Sequence, residues 1–171
     1  MRLRIIILVL FSFCFAGGIY AQERPELFSK VEKALREKEP AWKIEEVILG
    51  DTSDPVGQRI FFKSRRGRTS IDIDIWSREK DARDVFTAES YAIDNAAAFV
   101  SESLGRKIDD RTIKSSVPKL GDENHVWSYR GYPRQVIIKF RKGNITVRVD
   151  ATSEAVAKRF AQHVFEQMAA G

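Results

Sequence analysis

Two stretches decide the fold: Ile60-Phe61-Phe62-Lys63-Ser64-Arg65-Arg66-Gly67-Arg68-Thr69-Ser70-Ile71-Asp72-Ile73-Asp74 and Val136-Ile137-Ile138-Lys139-Phe140-Arg141-Lys142-Gly143-Asn144-Ile145-Thr146-Val147-Arg148-Val149-Asp150. They align without a gap at a spacing of 76 residues, with apolar, basic, glycine and acidic positions recurring in register. Each reads as a β-hairpin, because Arg66-Gly67 and Lys142-Gly143 place at the centre a residue that takes positive φ freely. Counting outward from those turns pairs Phe62 with Ile71 and Ile60 with Ile73. In the second copy it pairs Phe140 with Ile145, Ile138 with Val147 and Val136 with Val149. All of these fall on one face, and the alternate positions are polar: Arg59, Lys63, Arg65, Arg68, Ser70, Asp72 and Asp74, then Gln135, Lys139, Arg141, Thr146, Arg148 and Asp150. Such alternation implies an antiparallel sheet with one face covered and the other wet.

Outward from the hairpins, helical spacing recurs three times. Ala82, Val85, Phe86, Ala92, Ala96, Phe99 and Val100 run on to Gly105. Val156, Phe160, Val164 and Met168 form a stripe widened by Ala157, Ala161 and Phe165. Phe28, Val31 and Leu35 lie between Pro25 and Pro40. Further strands are read over 42–49, 111–117 and 125–130. The expected architecture is an α+β two-layer sandwich, with an antiparallel sheet of about seven strands covered on one face by helices. It contains an internal βββα pseudo-repeat, about 42–105 and 108–170, inside a single domain of residues 22–171.

The chain has 171 residues, enough for one ordinary core, and 43% hydrophobic with 31% charged residues argues against disorder. Arg2 and Arg4, an apolar run over 5–19 and Ala21 have the order of a secretory signal peptide, so residues 1–21 are read as a leader cleaved near Ala21. The mature protein is then periplasmic or secreted, with no transmembrane segment. Cys14 leaves with the leader, so the mature chain is free of cysteine. The net charge falls from +5 to +3, 27 basic against 24 acidic residues. That excess is too small to suggest nucleic acid.

The run Leu120-Gly121-Asp122-Glu123, the stretch Arg141 to Val149 and the Ala-rich closing helix resemble small secreted or lipoprotein-type bacterial domains with sensor-like or Mog1/PsbP-like α+β folds. The resemblance covers about the last fifty residues. It implies an α+β fold and assigns no functional residue.

No nucleotide loop, Gly-x-Ser-x-Gly elbow or metal-ligand spacing occurs in the sequence, so no catalytic, cofactor or metal residue is assigned. His125 and His163 lack an evident nucleophile partner, and Asp109-Asp110 and Asp122-Glu123 read as turn acids. Asp72 and Asp74 point to the same face about 7 Å apart, a spacing that suits acid and base work. Arg59 and Lys63 are placed to neutralise them as cross-strand partners. The candidate binding surface is the basic, aromatic-interleaved sheet face: Lys63, Arg65, Arg66 and Arg68 from one hairpin, Lys139, Arg141, Lys142 and Arg148 from the other, with Trp76, Trp127 and Tyr129 nearby. The expectation is an exported, non-enzymatic binding module. Its partner is a protein, an anionic polymer or a lipid headgroup of the cell envelope. The alternatives are a carrier of a small apolar ligand, or a hydrolase using Asp72 and Asp74.

Overall fold

The structure, a computed structural model, describes residues 24–50, 54–65, 67–104, 113–129 and 135–169, with 97–104, 113 and 129 described by backbone alone. In chain order the elements are α1 (Glu26–Lys38), β1 (Lys43–Leu49), β2 (Val56–Ser64), β3 (Gly67–Ile75), α2 (Glu79–Leu104), β4 (Ile113–Ser115), β5 (Glu123–Tyr129), β6 (Gln135–Lys142), β7 (Ile145–Ala151) and α3 (Glu154–Ala169). The expected sequence of helix, three strands, helix, four strands and helix is therefore present. All seven strands form one antiparallel sheet in the order β1-β2-β3-β7-β6-β5-β4, so the two hairpins meet at its centre through β3 and β7. The leader 1–21, Arg66 and Asp109-Asp110 lie outside the described residues.

Both hairpins close two residues away from the counted register. Ser64 pairs with Gly67, which sets Ile60 opposite Ile71 and Phe62 opposite Thr69. Lys142 pairs with Ile145, so the turn is Gly143-Asn144, with Gly143 at φ +57°, and Ile138 faces Val149. An even shift leaves the apolar face intact, and the fold survives the difference. The shifts also run in opposite directions relative to the aligned sequence. Ile60 and Ile71 are partners, whereas the aligned Val136 pairs with Ala151 and Val147 with Phe140. Similarity between the hairpins thus does not extend to equal pairing.

One face of the sheet packs against α1 and α3. Ile60, Phe62, Ile71, Ile73, Val126, Ile138, Phe140, Val147 and Val149 bury against Phe28, Val31, Leu35, Phe160 and Val164 in one cluster. α3 puts Ala157, Phe160, Ala161, Val164 and Met168 on one stripe, and its first turn is closed by the Val156 amide donating to Ser153 Oγ at 3.3 Å. Phe160 meets Trp42 and Phe62 edge-on, with centroids 5.4 and 5.2 Å away. Each such ring contributes about 1.5–3 kcal/mol by leaving water.

The helices do not all share that face. α2 crosses the other one, where Ala82 and Phe86 are buried, Phe86 stacks on His125 at 5.5 Å and the Trp127 indole donates to Asp94 at 2.7 Å. The reason lies in β5 and β6. Trp127 follows Val126, and Ile137 sits between Val136 and Ile138, so these strands carry apolar side chains on both faces and need cover on both. On that face β1 to β3 carry only Ile48 and Phe61 as large apolar side chains, neither of them buried, and α2 leaves it open. The expected single covered face is corrected accordingly, and the structure does not confirm the βββα repeat, since α2 and α3 lie on opposite sides of the sheet.

Candidate functional site: a cleft beside α2

The polar face is read best in rows across the sheet. One row runs Ile48, Arg59, Asp72, Arg148, Lys139 and His125, and the next runs Gly57, Asp74, Thr146 and Arg141. α2 covers the β5–β6 end of these rows and stops short of β1 to β3. A cleft of about 290 Å³ forms at that boundary, lined by Ile48, Gly57, Arg59, Asp72, Asp74, Glu89, Lys139 and Arg148 among others. Three cations and three carboxyl groups line it, so its formal charge is close to balanced.

The pairing within the cleft is specific. Arg59 grips Asp72 with two guanidinium nitrogens, one at 3.1 Å. Arg148 donates to both oxygens of Asp150 at 2.8 and 3.1 Å. Lys139, with 2% of its side chain exposed, reaches from the sheet to Glu89 on α2 and lies 5.0 Å from the Phe86 ring centroid. Burial holds its ammonium below the usual lysine range while Glu89 pulls it upward.

Asp74 differs from its neighbours. It receives no hydrogen bond among the described residues, and burial, reinforced by Asp72 and then Glu89, pushes its pKa up to about 6, against the pull of Lys139 and Arg59. Its partner across the β2–β3 pair is Gly57, where a Cβ would stand 2.7 Å from Asp74 Oδ1. Glycine at 57 therefore makes room for the carboxyl and opens the cleft.

The expected basic surface is not one surface, and two of its cations, Lys139 and Arg141, are buried. Arg141 has 3% of its side chain exposed and is held by Glu123 at 2.8 Å, Glu79 at 3.2 Å and the Gly143 carbonyl at 2.7 Å. Trp127 is fully buried under α2. Lys142 points to the opposite side, over Phe165, and donates to the Met168 carbonyl at 3.2 Å. Trp76 is half-buried and donates to Thr146 Oγ1 at 3.1 Å. Lys63 and Arg68 are exposed and share Glu45 at 3.1 and 3.6 Å, while Arg65 is exposed at the hairpin end. The side chain of Tyr129 is outside the described residues. The structure therefore divides these residues among the α2 interface, the α3 side and the hairpin tip, and brings only Lys139 and Arg148 to the cleft. Asp72 has the cross-strand Arg59 partner expected of it, and Asp74 has none. Gly57 was missing from the sequence reading. Its signal was a glycine inside a strand pattern, which marks close approach.

Fold and site together define an α+β protein with a seven-stranded antiparallel sheet and a polar cleft at the edge of α2. No family model and no curated protein matches the chain, so the resemblance to sensor-like and Mog1/PsbP-like domains stays an expectation. Among solved structures the chain is similar to a GTP binding regulator from Thermotoga maritima, at 11% identity over 81% of this chain and 84% of that one, with a TM-score of 0.42. A likeness at that level carries no functional inference. Among the described residues no helix is long and apolar enough to cross a membrane.

Proposed function

We propose that the chain is an exported, non-enzymatic binding module that receives its partner on the half of the polar face left open beside α2. The carrying observation is the cleft itself, a concavity built by Gly57 over a carboxyl with no partner of its own. Export is supported by the order of arginines, apolar run and small residues in 1–21. The support for an anionic partner narrows to the first hairpin, where Lys63, Arg65 and Arg68 are exposed, since Lys139, Arg141 and Lys142 are held by carboxylates and a carbonyl of the chain itself. Between the sheet and α1 and α3, where an apolar-ligand carrier needs a cavity, Phe28, Leu35, Phe62 and Phe160 are packed at under 2% exposure.

The test is a thermal-shift panel of small amines, carboxylates and sugars against the full chain. At least one class should raise the unfolding midpoint, with the effect reduced in Asp74→Asn. A panel that moves nothing would overturn the reading.

A hydrolase is the second reading, favoured by one observation: Asp74 with a pKa of about 6 beside Asp72 resembles an acid and base pair. Asp72 is already gripped by Arg59, which ranks this reading lower. Turnover of any glycoside or ester that disappears in Asp74→Asn would reverse the order.

A further inference from the structure

In the cleft every cation has its counter-ion: Arg59 is held by Asp72, Arg148 by Asp150 and Lys139 by Glu89. The lining charge without a hydrogen bond among the described residues is Asp74. The groups that face it are Asp72 on its own strand, Arg59 on β2, Lys139 on β6, Arg148 on β7 and Glu89 on α2. An incoming anion would have to share a cation already neutralised by its own carboxylate, and would lie beside the unpaired Asp74 carboxylate. A neutral hydroxyl could donate to Asp74 but would bring no charge. A cation supplies both the missing donor and the missing charge and displaces no existing pair, although it must lie near Arg59 and Lys139.

The other walls narrow the class further. Ile48 is 44% exposed and lines the same cleft from β1, giving an alkyl chain something to lie against. A cavity of about 290 Å³ is at the small end for ligand sites, which excludes a polymer wholly enclosed there. Resting on the binding reading above, we propose that the cleft binds a small organic cation, a primary ammonium on a short alkyl chain, with the ammonium donating to Asp74 and the chain against Ile48.

The experiment is an NMR titration of the full chain at pH 7.5 with three probes of one shape: n-butylammonium, n-butanol and butyrate. Butylammonium should saturate and perturb Ile48, Arg59 and Asp74, and the other two should not. Asp74→Asn, close in shape to the native side chain, should weaken that binding roughly tenfold or more. Lowering the pH to 5 should weaken it about tenfold in the native chain, because Asp74 is then mostly protonated. Butyrate or butanol binding as tightly as the amine, or undiminished amine binding by Asp74→Asn, would overturn the ligand class while leaving the cleft as a site. If no probe perturbs the cleft the class is also overturned, and the binding reading falls with it only if the wider thermal-shift panel is silent too.

Discussion

Asp74 and Gly57 are fitted to each other across the β2–β3 pair: a methyl group added to Gly57 would stand 2.7 Å from Asp74 Oδ1. Gly57→Ala should therefore push the carboxyl aside or strain the strands. A loss of about 1–3 kcal/mol in urea unfolding is expected, the usual range for overpacking. Unchanged stability would mean that Asp74 moves freely and that the close fit has no energetic consequence.

The Asp74 carboxyl also gives stability a definite pH dependence. Its native pKa of about 6 lies above the ordinary 3.8, so the native state keeps a proton that the unfolded chain has released. This contribution is present in full below about pH 4 and is lost as the pH rises through about 6. Asp74→Asn should remove this component and be the more stable form at pH 7.5, by about 1–2 kcal/mol after allowance for solvent screening. Denaturation midpoints of the two proteins between pH 4 and 8 check it. A constant difference across that range would contradict the assignment.

The Lys139 and Glu89 pair predicts an asymmetry. Glu89→Ala leaves a buried ammonium under Phe86 without its carboxylate, and should cost about 1–3 kcal/mol, since Glu89 itself is half exposed. Lys139→Met removes the charge and keeps the volume, and should cost less. Guanidinium unfolding of both variants is the measurement, and the reverse order would show that the pair, more than the burial, dominates.

Gln58 is 2% exposed, and neither its Nε2 nor its Oε1 has a partner among the described residues. By strand alternation it sits on the face of Ile60 and Phe62, against the core. Gln58→Met should stabilise the protein by about 1–2 kcal/mol, the relief of an unpaired buried amide. A loss of stability on calorimetry would mean that the amide has a role that the fold does not reveal.

Much of the architecture was legible because it rests on local rules. Period-2 alternation in Ile60–Asp74 and Val136–Asp150, and helical stripes such as Val156, Phe160 and Val164, placed the strands and helices in their proper order. The registers were harder, because a glycine marks a turn only to within a residue or two, and Gly67 turned out to sit in a strand while Gly143 sits in the turn. The side taken by α2 depended on adjacent apolar pairs, Val126-Trp127 and Val136-Ile137, which alternation alone treats as noise. For the site, residue type was misleading: Lys139 and Arg141 read as a solvent-facing basic patch because strand period says which face a side chain takes, not whether a distant helix covers it. What separates Asp74 from Asp72 is a cross-strand partner, Gly57 against Arg59, and that follows from a register that counting outward from Gly67 sets two residues off.

The central claim is that Asp74 is a half-buried carboxyl in the cleft beside α2, left for a partner to satisfy. Its side-chain carbon resonance followed against pH in the free full chain tests this most directly. A midpoint near 6 is the predicted result. A midpoint near the ordinary 3.8 would show a solvated or already paired carboxylate and contradict the account.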